Sequence, residues 1–162
     1  MKLTSPIIAV IVVSAFIIGI GSTMLAGVWQ TESSKIPATY VEGEYAGESN
    51  PADIRGSYTF SDIAASFPVP VEALAGAFGV SELDNPGSFQ PKILEERYGD
   101  IDGGEIGTDS VRLFVSLYTG RPYTPEETTR LPVQALTYLQ DRVERDTLTE
   151  VEAIAVLLET QE

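Results

Sequence analysis

Hydrophobic and polar positions are distributed along this chain in three ways, and each predicts a different structure. Between Lys2 and Glu32 there is no charge, and Ile, Val, Ala and Leu fill the stretch. From Gln30 to Gly56 polar residues dominate, with Pro, Gly and Ser among them and no sustained period. From Thr59 onward apolar residues recur three and four apart, the spacing of one helix face.

The first pattern predicts a membrane segment. Residues 6–29 make an apolar run bounded by Pro6 and Trp29; about 20 helical residues cross a hydrocarbon core. Trp29 falls where an interfacial aromatic belongs, and Lys2 with the free amine forms a short positive flank. A cleaved signal peptide needs small residues at −3 and −1 of the cut. "TMLAG" offers Ala26 but puts Met24 at −3, and the run is longer than the usual h-region. A helix buried in a soluble core rarely stays uncharged for so long. The pattern therefore predicts a signal-anchor transmembrane helix over residues 1–29, touching membrane lipid through 6–29. Lys2 and Lys35 lie on opposite sides, so the positive-inside count barely discriminates. The usual behaviour of a short-flanked N-terminal anchor places the rest of a single-pass cell-membrane protein outside the cytoplasm.

Residues 30–56 are predicted as an extended linker, with Tyr40 and Tyr45 as candidates to dock back on the domain. An acidic helical domain is expected over 57–162. Thr59 with Asp62 resembles a capping box. Phe60, Ile63, Ala64 and Phe67 then share one face. Pro68 and Pro70 end that helix and start another, whose buried face is Val71, Leu74, Ala75 and Phe78 and whose stop is Gly79. Pro91 opens "PKILEERYG", closed by Gly99. "TDSVRLFVSLYTG" starts with Thr108 as cap and ends at Gly120, with Val111, Phe114, Val115 and Tyr118 as its stripe. "TPEE" at Thr124 and the stretch Leu131 to about Val143 suggest further helix. Thr149 with Glu152 reads as another capping box, before "VEAIAVLLE". No alternating strand of four or more residues is evident. The expected fold class is all-α: one transmembrane helix, then a bundle of five to six short helices with helix-turn-helix-like pairs.

Composition narrows what such a bundle can do. The chain has 24 acidic and 10 basic residues, for a net charge of −14, and neither Cys nor His. Such a surface repels nucleic acid phosphates and anionic headgroups. The absent residue types exclude disulfides, thiolate zinc sites, cysteine-ligated clusters, His-ligated haem and His-dependent nucleophilic catalysis within this chain. The first helix pair, 60–78, has helix-turn-helix spacing. Yet no Lys or Arg occurs from Gly56 to Gln90, while Asp62, Glu72, Glu82 and Asp84 do. A DNA reader needs base-contacting donors and cations beside them, so no nucleic acid partner is expected.

Two constellations carry candidate chemistry. "GDIDGGEIGTDS" gathers Asp100, Asp102, Glu105 and Asp109 among glycines, and oxygen-rich flexible loops can hold Ca²⁺. Glu105 stands where an EF-hand has Gly and Val111 where it has Glu, so a solvated loop, with Asp109 capping the next helix, competes with that metal site. Arg55, Arg112 and Tyr118 are the candidate interaction residues. Either arginine could meet a partner carboxylate, or pair at home with Asp53 and Asp109. No two carboxylates are fixed across a cleft, Ser61, Ser110 and Ser116 lack a histidine base, and neither an enzyme nor a bound cofactor is expected.

The strings "GSYTFSDI" and "EIGTDSVRLFVSLYTGRPY", within Pro51 to Tyr123, resemble a domain found with membrane-bound polyferredoxin-like 4Fe–4S proteins, where such a unit follows a transmembrane helix. This chain has no cluster cysteines. The resemblance implies an accessory or partner-binding module near redox membrane proteins; the expected protein partner is a 4Fe–4S or cytochrome membrane subunit or another membrane complex. A self-assembling structural membrane subunit and, less readily, a carboxylate-dependent enzyme are the alternatives.

Overall fold

The computed structural model describes residues 5–25, 35–101 and 103–156. The backbone falls into two compact units, divided between Ser34 and Lys35. The first contains one helix, α1 (Ser5–Leu25), of 21 residues without a charge. Its described side chains at 9–10, 12–19 and 22 are all exposed, among them Val10, Val12, Val13, Phe16, Ile17 and Ile18. Among the described residues, no helix is long and apolar enough to cross a membrane.

The second unit is mostly helical with a little sheet. Among the described residues its α-helices are α2 (Phe60–Ser66), α3 (Val71–Ala77), α4 (Ile93–Tyr98), α5 (Thr108–Thr119), α6 (Val133–Leu139) and α7 (Arg145–Ala153). Single 3-10 turns lie at Pro51–Asp53 and Pro86–Ser88. Two ribbons of two-residue strands complete it. β1 (Asp100–Ile101) pairs antiparallel with β2 (Gly104–Glu105), and β3 (Leu131–Pro132) pairs parallel with β4 (Ala155–Val156). The all-α expectation is thus corrected in detail: backbone groups between helices are satisfied partly by these short ladders.

Local chemistry sets most helix ends. The Thr59 hydroxyl accepts from the Asp62 amide at 3.1 Å, and the Asp62 carboxylate accepts from the Thr59 amide at 2.7 Å, closing a capping box at α2. Gly79, Gly99 and Gly120 follow α3, α4 and α5 with φ of 63°, 62° and 68°, a region that favours glycine. Three expectations fail. "TPEE" forms no helix, because the Glu126 amide donates to the Asp109 carboxylate at 3.0 Å and the chain turns there. Leu131 and Pro132 are strand, so α6 is shorter than expected. Thr149 lies inside α7, where its hydroxyl donates to the Arg145 carbonyl at 3.0 Å, and 155–156 are strand.

The core is aromatic at its centre. Ring centroids step from Phe89 to Phe60 (5.4 Å), Phe60 to Phe78 (6.2 Å), Phe78 to Phe114 (5.7 Å) and Phe114 to Tyr118 (5.7 Å). The series links α2, the end of α3 and α5, and such pairs contribute about 0.5–1.5 kcal/mol each beyond their burial. α3 packs on α6, with Ala73, Leu74, Ala75 and Ala77 buried. Residues 35–56, the described part of the expected linker, belong to the folded unit: Pro51 and Ile54 are buried, and the Asp53 carboxylate accepts from the Ala38 amide at 2.7 Å.

Candidate functional site

α5 carries three of the candidate residues, Asp109, Arg112 and Tyr118. Gly107 precedes it, and the Ser110 hydroxyl accepts from the Gly107 amide at 3.1 Å. Val111, Leu113, Phe114 and Val115 bury its inner side. Asp109 and Arg112, one turn apart, leave its first turns toward two other segments.

The Asp109 carboxylate is a densely connected polar group, with its side chain only 12% exposed. It accepts from the Tyr123 hydroxyl, from Thr129 Oγ1 at 2.5 Å and from the Glu126 amide at 3.0 Å. Arg112 Nη1 pairs with it at 3.4 Å, while Arg112 Nε donates to the Ile54 carbonyl at 2.9 Å. Burial alone would raise the Asp109 pKa, but the hydrogen bonds from Thr129, Tyr123 and the Glu126 amide, with the Arg112 charge, hold it below the usual carboxylate value. Burial, and then the bond to Asp109, pushes the Tyr123 phenol up to about 12. A carboxylate offers about four lone-pair sites, and four donors occupy them here. Asp109 is thus equipped to lock the 121–130 loop and the 51–54 turn onto α5, and has no lone pair to spare for a metal or a substrate proton.

Asp100, Glu105 and Asp109, three of the four acids expected to gather around Ca²⁺, form no metal-holding group. Asp100 and Glu105 are cross-strand partners on β1 and β2, and the Asp100 carboxylate accepts from the Gly103 amide at 3.2 Å. Asp109 is committed as described, and Asp102 lies outside the described residues. Among the described residues, no group of three or more carboxylates could hold a metal ion. Arg55 lies 3.6 Å from Asp53. Tyr118 is half-buried, with one face under the Arg142 guanidinium at 3.8 Å.

A second polar cluster forms on a residue inside the "GRPY" end of the quoted string but outside the candidate residues. Arg121, just past α5, has a side chain 11% exposed. Its Nε and Nη2 both reach Glu48 Oε2, at 2.9 and 2.7 Å, and its guanidinium lies 5.5 Å from the Phe67 ring centre. Beside it the Tyr40 hydroxyl donates to the Pro122 carbonyl at 2.8 Å and the Tyr45 hydroxyl to the Gly120 carbonyl at 2.9 Å. Residues 39–49 thus form a strap across the end of α5. Docking of the two tyrosines was readable from their place in a polar stretch. Arg121, 73 residues from Glu48, carried no local signal.

No protein-family model, curated protein or solved structure matches this chain.

Proposed function

We propose that this protein is a membrane-anchored, cofactor-free interaction module, with a short helical acidic domain presented outside the cytoplasm to a partner in a membrane complex. The carrying observation is α1: 21 residues without charge, with Val10, Val12, Val13, Phe16, Ile17 and Ile18 exposed, in a unit of its own. At 1.5 Å per residue such a helix is about 30 Å long. Exposed apolar surface on every described side of a helix favours a lipid environment over water. Anchoring would act by raising the domain's effective concentration toward other membrane proteins. The resemblance of "GSYTFSDI" and "EIGTDSVRLFVSLYTGRPY" to the polyferredoxin-associated domain favours an electron-transfer complex as that partner. The saturated Asp109 node supports a structural use of its charged residues over catalysis.

The test is fractionation of the full-length protein followed by purification in mild detergent. Sedimentation with membranes after an alkaline wash, protease sensitivity of the domain on intact cells, and co-purifying iron–sulfur or cytochrome subunits are expected. Untrimmed protein in the soluble fraction would overturn the anchor; a pure homo-oligomer would overturn the partner.

A further inference from the structure

We infer that the acidic domain makes a second, shallow contact with the bilayer through Ile36 and Val41, and that the surface they meet is zwitterionic. The inference rests on the anchor reading and adds a contact that the anchor itself does not supply. Ile36 is 73% exposed and Val41 89%. The other exposed large apolar side chains described in this unit, Leu83, Ile93 and Val133, stand at 39%, 37% and 37%. A solitary exposed apolar residue is ordinary on a soluble surface. Here the two extremes both fall in residues 35–41, the part of the unit nearest α1 in sequence. From Leu25, the end of α1, to Ile36 the chain spans at most about 40 Å. A tether that short keeps the pair at high effective concentration toward any bilayer that α1 occupies.

The backbone beneath these side chains is pinned. Pro37 is buried, the Ala38 amide donates to the Asp53 carboxylate, and the Ala38 carbonyl accepts from the Asn50 amide at 2.8 Å. The Tyr40 amide donates to the Glu48 carbonyl and the Gly47 amide to the Tyr40 carbonyl, both at 2.9 Å, while the Tyr40 and Tyr45 hydroxyls hold the strap to the end of α5. Val41 therefore projects from a segment that needs no further ordering to dock, which lowers the cost of docking. Charge selects the surface. Glu42 and Glu44 beside Val41 are exposed, and Lys35 beside Ile36 is paired with Asp62. Anionic headgroups would meet carboxylates without a local cation to offset them. The same carboxylates hold the contact at headgroup depth.

The test reconstitutes the full chain in phosphatidylcholine vesicles. Trp29 is the sole tryptophan, so Trp29→Phe/Ile36→Trp and Trp29→Phe/Val41→Trp each report one site, with Trp29→Phe/Leu83→Trp as control. A dye on Val41→Cys, the chain's only thiol, serves where a tryptophan alters the circular dichroism. Both probes should emit to the blue of the control and be quenched by brominated phosphatidylcholine at least about twofold more, as for groups at the headgroup–acyl boundary. Replacing half of the lipid with phosphatidylglycerol at low salt should reduce that quenching. Chain that floats with the vesicles but shows the control's quenching overturns this inference alone. So does quenching that fails to fall with phosphatidylglycerol, or a blue shift that appears only when a co-purified partner subunit is added. Chain that does not float overturns the anchor, and this inference falls with it.

Discussion

Tyr138 of α6 lies so close across Gly76 of α3 that a Cβ at residue 76 would fall 2.6 Å from the tyrosine Cζ. The missing side chain is what lets the two helices meet. In an isolated helix Gly→Ala stabilises by about 1 kcal/mol. Here we expect Gly76→Ala to destabilise by about 1–3 kcal/mol, the range for overpacking. In a Tyr138→Ala background the same change should turn neutral or favourable, a non-additivity measurable by urea titration of the four chains. A stability gain from Gly76→Ala alone would show that the Tyr138 ring swings aside at little cost.

Asp109→Asn tests the polar lock. The amide is nearly isosteric but carries no charge and replaces one acceptor oxygen with a donor. It would face the Arg112 guanidinium and the donors of Tyr123, Thr129 and Glu126 with too few acceptors. The expected loss is about 2–4 kcal/mol, with faster amide exchange through 121–130 than through α2. A loss below about 0.5 kcal/mol would mean that the node is ornamental.

How much of this was legible follows from distance along the chain. The Thr59–Asp62 box spans three residues, and the stops at Gly79, Gly99 and Gly120 are single positions, so local pattern was enough to place them. Asp109 was read through its neighbours, as a cap and as an i,i+3 partner of Arg112, and the second of these is present. Its stronger partners lie 14, 17 and 20 residues away, and no periodicity encodes them. The same long-range demand defeated the local signal at "TPEE": the Glu126 amide, free to begin a helix, went to Asp109 instead. Likewise Thr149 had the right spacing to Glu152 for a cap, but α7 had already begun at Arg145.

The capping box offers a smaller, local effect. Thr59→Ala removes the acceptor for the Asp62 amide and the hydroxyl that donates to Asp62 Oδ2 at 2.7 Å. We expect about 1 kcal/mol of destabilisation. Thr59→Ser, which keeps the hydroxyl, should recover most of it. The Lys35–Asp62 pair, 2.9 Å apart with both side chains partly exposed, should contribute less, so Lys35→Ala is expected to cost under about 0.5 kcal/mol. Equal losses for Thr59→Ala and Lys35→Ala would assign the stabilisation to the ion pair instead.

Stability should also fall at both extremes of pH, through different residues. Burial would raise the pKa of Asp109 and of Asp62, yet their hydrogen bonds and cationic neighbours hold both below the usual value in the folded protein. Groups with depressed folded pKa stabilise fully above the unfolded value of about 4, and that contribution disappears as pH falls through the folded one. Tyr123 is the opposite case. Its folded pKa of about 12 exceeds the ordinary tyrosine value of 10.0, so its contribution is complete below the latter and is lost as pH climbs between the two. Acid also relieves repulsion among the 24 carboxylates, so the informative quantity is the difference between variant and wild-type melting temperature at each pH. For Asp109→Asn that difference should shrink toward acid. For Tyr123→Phe it should shrink above pH 10, where Tyr40 and Tyr58, also raised chiefly by burial, still destabilise both proteins. A Tyr123→Phe difference constant from neutral pH to the alkaline limit would show that the phenol keeps no proton that the unfolded chain gives up.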